Sequence, residues 1–426
     1  MFEPPRASTI DVNHERFDGY RIVAACFVVQ GVVIGSMFAY GVFFPEFESE
    51  FGWSRATISG ASSLAFVVMG VLAVAAGKLN DTIGPRVLIV VSALFFGVGY
   101  ASLSSLQAPW QLFLFYGVLA GIGYSTHDVV TLSTIARWFV RRRGTMTGIA
   151  KVGTGIGQVL VPTIAAALIA ALGWRNAVFI IGVVSLVLLL IAARMMRRDP
   201  SGVGQHPDGD PVEAGGVPTG LRESGMTLGE AAATRQFWIL CAVQLAVFFC
   251  LLTVMIHIVP HATDQGIAPA VAATILSTIG AVSIAGRLTI GTLIDRLGGR
   301  RSLAICFAVL LASLLLLQVA EATWALFLFA AIYGFAHGGF FTVMSPAVAE
   351  YFGTGSHGVI FGIVLFSGTI GGAIGPLLAG GLFDSTGSYD TAFLILAGFC
   401  LFGLLVTTAL PSMRPDVATP AKESVS

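Results

Sequence analysis

The chain has 426 residues, of which 56% are hydrophobic and 11% charged, and its formal net charge is zero. Soluble proteins carry about 25% charged residues, so the composition excludes an ordinary soluble domain and predicts a membrane protein with many spans. The balanced charge gives no indication of nucleic-acid binding. Five cysteines lie in apolar runs without metal-ligand spacing, which favours small core residues over a disulfide framework.

The chain contains twelve apolar runs long enough to cross a membrane, since a transmembrane helix needs about 20 apolar residues. The runs cover residues 21–44, 55–77, 87–106, 110–137, 145–171, 174–196, 237–260, 268–291, 302–320, 323–349, 357–382 and 391–411. The polar N-terminus lacks the apolar core of a signal peptide, so the first span is expected to remain in place. The predicted fold is therefore an all-α membrane protein of twelve helices in two six-helix bundles.

The predicted organisation has five parts. They are a tail at 1–20, an N-terminal bundle at 21–196, a loop at 197–236, a C-terminal bundle at 237–411 and a tail at 412–426. The loop is rich in Gly, Pro and charge, which is typical of a flexible connection. Of the 23 Lys and Arg residues, Lys151 and Arg287 lie in the interior of spans, and Arg55 and Arg175 lie at the far side, which leaves 19 in the tails, loops and span ends on the side of the termini. The positive-inside rule therefore places both termini and the central loop in the cytoplasm. The predicted location is the plasma (inner) membrane.

The two halves repeat the pattern G-x-L-x-D-x-x-G-x-R after spans 2 and 8, at an offset of 214 residues. Repeats of this kind are the architecture of several secondary transporters, which bind substrate near the membrane midplane between the halves. The pattern resembles the cytoplasmic loop motif of the major facilitator superfamily and implies the fold of that superfamily. We assign its residues to structure and gating: Gly77, Asp81, Gly84, Arg86, Gly291, Asp295, Gly298 and Arg300.

Two further stretches resemble the monocarboxylate transporter family. The first span opens on Asp18-Gly19-Tyr20 and closes on Gly41-Val-Phe-Phe44, and the fifth is entered through Trp138, Phe139 and three arginines. The resemblance implies a monomeric transporter, without cofactor or metal, that moves a small monocarboxylate with a proton by alternating access. Bacterial oxalate/formate exchangers are similar, so a carboxylate anion exchanger is the alternative.

A permanent charge lies inside span 8. Arg287 precedes Asp295 by eight residues, which places it about 12 Å from the end of the span, near mid-depth of a core about 30 Å thick. A charge there costs at least about 2.5–3.5 kcal/mol and needs a partner or a polar cavity. The equivalent residue in the first half is Ala73, so the repeat does not require an arginine. The alternatives are a structural ion pair and the role that the resemblance implies, which is to anchor the substrate carboxylate.

Other polar side chains within the spans are candidates for function. Asp128 and Lys151 are spaced to meet between spans 4 and 5, either as a structural ion pair or as a group that carries a proton. At the outer end of span 7, Pro260 is expected to break the helix face that His257 and His261 would share. The candidates for proton coupling are Asp128, Lys151, His257 and His127, and those for substrate contact are Arg287, Tyr124, Tyr333, His337 and Tyr40.

The chain departs from its apparent relatives at three places. Phe38 stands where animal monocarboxylate transporters have a lysine, and Ser283 where they have an aspartate, which puts their scheme of proton coupling in doubt. Span 11 lacks the second cation of the oxalate exchanger, which favours a single carboxylate. A membrane enzyme is the alternative of another class, but the spans carry no pattern of a nucleophile with a base and no cofactor motif.

Overall fold

The structure, a computed structural model, describes residues 17–210 and 225–412. Eleven of its helices are long and apolar enough to cross a membrane. In chain order they are Gly19–Phe51 (span 1), Arg55–Ile83 (span 2), Pro85–Ser102 (span 3), Arg143–Leu172 (span 5), Trp174–Met195 (span 6), Arg235–Asp264 (span 7), Pro269–Leu297 (span 8), Gly299–Leu317 (span 9), Thr323–Phe352 (span 10), His357–Thr386 (span 11) and Asp390–Thr408 (span 12). Most of both predicted tails and residues 211–224 of the predicted loop lie outside the described residues.

Span 4 is helical but interrupted, whereas its apolar run predicts one continuous helix. It consists of Pro109–Leu112, a π-helical stretch Phe113–Ala120, the short helix Gly121–Tyr124 and, after a turn, His127–Trp138. Hydroxyl side chains satisfy the backbone and each other at the turn, where Ser125 Oγ donates to the carbonyl of residue 122 at 2.7 Å and Thr126 bonds to a serine of span 3. Buried broken helices are tolerated in membranes when such groups replace the missing bonds. The break places His127 and Asp128 in the first turn of the last helix.

The helices extend beyond the apolar runs that predict them. Span 1 continues through Pro45 to Phe51, and span 7 continues through Pro260 to Asp264. The expectation that Pro260 breaks the helix is wrong, because a proline removes only one N–H donor and long membrane helices tolerate this loss. Between the bundles, span 2 packs on span 11 and span 5 packs on span 8. The repeat relates span 2 to span 8 and span 5 to span 11, so these two contacts between the halves are equivalent.

The first part of the central loop is fixed to the N-terminal bundle rather than free. The carboxylate of Asp208 accepts the backbone N–H groups of Val140, Arg141 and Arg142, at 3.0, 2.9 and 3.4 Å. Its side chain is 4% exposed, and its φ of +60° is a left-handed conformation that aspartate tolerates better than most residues. One carboxylate therefore holds the connection between spans 4 and 5 in shape.

Replacing Asp208 with alanine is expected to lower the free energy of unfolding by about 1–2 kcal/mol, because three N–H groups lose their acceptor. Thermal unfolding of the purified protein in detergent would measure the loss. Asp210→Ala is the matched control, since Asp210 makes an exposed ion pair with Arg141 and the loss of such a pair costs about 0.5 kcal/mol or less. Equal melting temperatures for the two variants would show that Asp208 does not hold this loop.

Candidate functional site

Arg287 is fully buried where span 8 faces span 5. Glycines of span 5 make room for it: a Cβ added at Gly155 would lie 2.9 Å from Nη1 of the arginine, and one at Gly148 would lie 2.5 Å from its carbonyl oxygen. Small residues let membrane helices approach each other this closely. The small residues of span 5 therefore allow the guanidinium to sit between the two bundles.

The guanidinium of Arg287 is only partly satisfied by hydrogen bonds within the described residues. Nη1 donates to Oγ of Ser283, one turn earlier in span 8, at 2.6 Å, and Nε is buried without an acceptor. Among residues 17–210 and 225–412, no carboxylate lies within 4 Å of Arg287 to form an ion pair. Ser283, the position where animal monocarboxylate transporters have an aspartate, thus holds the arginine without neutralising its charge.

Asp128 and Lys151 meet between spans 4 and 5, as their spacing predicts. Nζ of Lys151 donates to Oδ1 of Asp128, and both side chains are buried. Gln30 of span 1 donates its Nε2 to the same oxygen at 2.9 Å. Sequence reasoning missed Gln30, although an amide inside the apolar run of span 1 was an available signal.

The ion pair lies close to Arg287 across the interface. Nζ of Lys151 is 5.3 Å from the ring centroid of Phe341 in span 10, and that ring is 5.0 Å from the ring of His337. Lys151 stands one helical turn before Gly155, where an added Cβ would lie 2.9 Å from Nη1 of Arg287, so the ion pair and the guanidinium face each other across the interface. With neutral histidines, two cations and one anion give the site a net charge of +1. A buried surplus of one positive charge suits an anion of charge −1.

The predicted tyrosines bond to the protein backbone or lie in aromatic clusters. Tyr40 donates to the carbonyl of Ile58, and Tyr333 donates to the carbonyl of Leu251, each at 2.7 Å. Tyr124 is buried among aromatic rings of spans 3 and 4. Among the described residues, none of these three hydroxyl groups hydrogen-bonds to Arg287, and their contact with substrate stays a prediction.

The two histidines proposed for proton coupling, His127 and His257, lie in different parts of the structure. Nε2 of His127 lies 3.5 Å from Oδ2 of Asp128, so this histidine belongs to the charged site. His257 lies apart from it: Nδ1 is 3.1 Å from the hydroxyl of Tyr389, and Nε2 is 3.1 Å from the carbonyl oxygen of Pro376. Of the four candidates for proton coupling, the structure thus gathers His127, Asp128 and Lys151.

The aspartates of the repeated motif join the bundles on the side of the termini. Asp81 accepts the N–H of Gly358 at 3.0 Å and that of the next residue, in the first turn of span 11. Asp295 accepts the N–H of Gly144 at 2.6 Å and that of the next residue, in the first turn of span 5. Arg137 also donates to Asp81, at 2.5 Å. Each bundle thus caps the corresponding helix of the other, where the helix dipole favours an anion.

The other motif residues shape the turns beside these caps. Gly84 and Gly298 have φ of +82° and +79°, which glycine adopts without strain, and each lies between two spans. The rest of the motif lies at the adjoining helix ends, with Gly77 and Gly291 in spans 2 and 8 and with Arg86 and Arg300 in the first turns of spans 3 and 9.

The family model described as Major Facilitator Superfamily matches residues 26–287 and 251–425, which together are most of the chain. The chain belongs to the Major Facilitator Superfamily. This major facilitator protein is similar to monocarboxylate transporter 13 of Rattus norvegicus, with 27% identity over 92% of this chain and 89% of that protein. It is also similar to monocarboxylate transporter 11 of Homo sapiens, with 26% identity over 93% of this chain and 84% of that protein. It is a multi-pass membrane transporter and not an enzyme.

Solved structures share the fold of this major facilitator protein. The human organic anion transporter MFSD10 (TETRAN) has a TM-score of 0.69 and 14% identity, over 91% of this chain and 99% of that chain. FucP in the outward conformation has a TM-score of 0.70 and 15% identity, over 91% of this chain and 97% of that chain. Identities this low show the fold alone, and the predicted all-α fold of two six-helix bundles is confirmed.

Proposed function

We propose that this transporter moves a small organic monocarboxylate together with a proton, by alternating access, across the plasma (inner) membrane. The observation that carries the proposal is Arg287, a permanent charge buried between the bundles with no carboxylate within ion-pair distance in the described chain. A planar guanidinium offers parallel N–H donors that match the two oxygens of a carboxylate. The similarity to proteins named monocarboxylate transporters supports the same substrate class.

The Asp128–Lys151 pair supplies the coupling to protons. When Asp128 is ionised, its carboxylate engages Lys151, and Arg287 alone attracts the substrate. When Asp128 takes up a proton, its hold on Lys151 weakens, and the ammonium becomes a second cation for the bound anion. Proton and anion therefore favour each other's binding, and the coupling is reciprocal. Transport of the two together follows from this mutual preference.

Both termini lie in the cytoplasm in this proposal, as the distribution of Lys and Arg predicts. The caps that Asp81 and Asp295 place on spans 11 and 5 then close the path to the cytoplasm in the present conformation. Opening that path requires both caps to break, while the outer ends of the bundles approach each other.

A transport assay tests the proposal directly. The protein is reconstituted in liposomes that contain a pH-sensitive dye, and lactate, pyruvate or benzoate is added outside. We expect the lumen to acidify faster than in protein-free liposomes, in proportion to the uptake of labelled anion. Labelled formate or oxalate that exchanges against preloaded anion, without proton movement, would instead establish the carboxylate exchanger. Absence of both activities would contradict carboxylate transport.

A further inference from the structure

Gln30 is a fully buried amide in span 1 that connects three helices. Its Nε2 donates to Oδ1 of Asp128 at 2.9 Å and to the carbonyl oxygen of His127 at 3.0 Å, both in span 4. The hydroxyl of Thr131 is also 2.9 Å from Nε2. In span 5, Thr154 donates its hydroxyl to Oε1 of Gln30 at 3.0 Å. The proton-coupling candidate Asp128 is therefore held from span 1 as well as from Lys151.

These partners determine which end of the amide faces the acid. A backbone carbonyl and an ionised carboxylate only accept hydrogen bonds, so both require the NH₂ group of Gln30. The reversed amide would place its oxygen against these two acceptors, whereas the hydroxyl of Thr154 can bond to either end of the amide. Gln30 thus presents a neutral donor to Asp128.

We propose that Gln30 is a positioning residue for the proton-coupled step and sets the pH range over which Asp128 exchanges its proton. The inference rests on the proposed function. Lys151 and Gln30 share Oδ1 of Asp128, so Gln30 keeps that oxygen hydrogen-bonded when the lysine turns to the substrate. A donor to the ionised form favours that form, and its removal makes protonation easier.

The other charged or titratable groups around Asp128 are few. They are His127 on the same span, Lys151 from span 5 and Arg287 from span 8, and His337 from span 10 faces the last two. Replacing Gln30 with methionine adds or removes none of these charged or titratable groups. A shift in the pH dependence of transport after substitution would therefore report on the contact between Gln30 and Asp128.

The repeat provides a matched control. Gln244 stands at the offset of 214 from Gln30, in span 7, and is 3% exposed. The positions that correspond to Asp128 and Lys151 are Thr342 and Leu365, so the second bundle keeps the glutamine without the ion pair. If the loss of any buried amide changed transport, substitution of Gln244 would have the same effect as substitution of Gln30. An effect that acts through Asp128 is expected only when Gln30 is substituted.

The test compares the pH dependence of labelled lactate uptake in liposomes for Gln30→Met, Gln30→Glu and Gln244→Met. We expect the pH of half-maximal uptake to rise by about one unit for both Gln30 variants, since methionine removes the donor and glutamate adds a second acid that shares a proton. The profile of Gln244→Met is expected to match that of the wild type. The near-isosteric glutamate variant keeps the test valid if Gln30→Met does not fold.

The double variant Asp128→Asn/Lys151→Gln separates this inference from the proposed function. If uptake by the double variant keeps the wild-type pH dependence, Asp128 does not carry the proton and the proposed coupling fails. If the double variant loses the pH dependence while the Gln30 variants keep the wild-type profile, only the role of Gln30 is overturned. A shift in Gln30→Met, with a shift in the same direction in Gln30→Glu, together with loss of pH dependence in the double variant supports both.

Discussion

Arg287→Lys is expected to lower Vmax/KM for monocarboxylate uptake by about 30- to 150-fold, which corresponds to about 2–3 kcal/mol for a lost charge-assisted hydrogen bond. Lysine keeps the charge, but its ammonium is a point donor that cannot bind both carboxylate oxygens in one plane. Gly155 leaves room for the guanidinium at this place, so the smaller head group would also leave a void. Initial rates of labelled uptake in liposomes, over a range of substrate concentrations, would measure the change.

The control for this substitution is Arg175→Lys. Arg175 is a partly exposed arginine that pairs with Glu50, and its replacement is expected to leave uptake unchanged. Wild-type uptake by Arg287→Lys would place the carboxylate elsewhere in the protein. If both variants lost uptake equally, the assay would be measuring how much protein is correctly folded in the liposomes rather than substrate binding.

Asp128→Asn is expected to lower the free energy of unfolding by about 3–5 kcal/mol, because it leaves the ammonium of Lys151 buried without its counter-charge. The double variant Asp128→Asn/Lys151→Gln is expected to recover most of this loss, since two amides can hydrogen-bond without a buried charge. Melting temperatures in detergent and the fraction of monodisperse protein would measure both effects.

The same double variant is expected to lose proton movement while it keeps some exchange of labelled anion, because Arg287 is unaltered. Lys151→Gln alone completes the double-mutant cycle and isolates the interaction energy of the pair. If the loss of stability in the double variant equalled the sum of the losses in the two single variants, Asp128 and Lys151 would not depend on each other. Proton-coupled uptake by the double variant would show that another group carries the proton.

The Asp128–Lys151 contact could be predicted because it depends on regular geometry. A short loop joins spans 4 and 5, and a fixed rise of about 1.5 Å per residue brings positions 11 and 7 residues from that loop to similar depth. The depth of Arg287 follows from the same arithmetic. The repeated motif likewise indicated two related bundles, and its aspartates lie at equivalent helix ends of the two halves.

The surroundings of this pair could not be predicted in the same way. Gln30 is 98 residues from Asp128 and 124 from Thr154 along the chain, and an uncharged amide in an apolar run does not reveal its partners. The break in span 4 is also invisible to hydropathy, because a π-helical stretch and a turn can form from the same apolar residues as a straight helix. Asp208 looked like part of a flexible loop, yet it caps three N–H groups from 66 to 68 residues away.

The apolar runs and the internal repeat were sufficient to predict the number of spans, their division into two related halves and the presence of a charged residue within a span. These properties depend on how long each apolar run is and on which residues recur, and neither requires knowledge of neighbours in space. Three features arise only when helices distant in the chain are packed together: the lack of an acidic partner for Arg287 among the described residues, the amide that holds Asp128 and the caps between bundles. Helix packing, which brings particular side chains within about 3 Å of each other, decided those contacts.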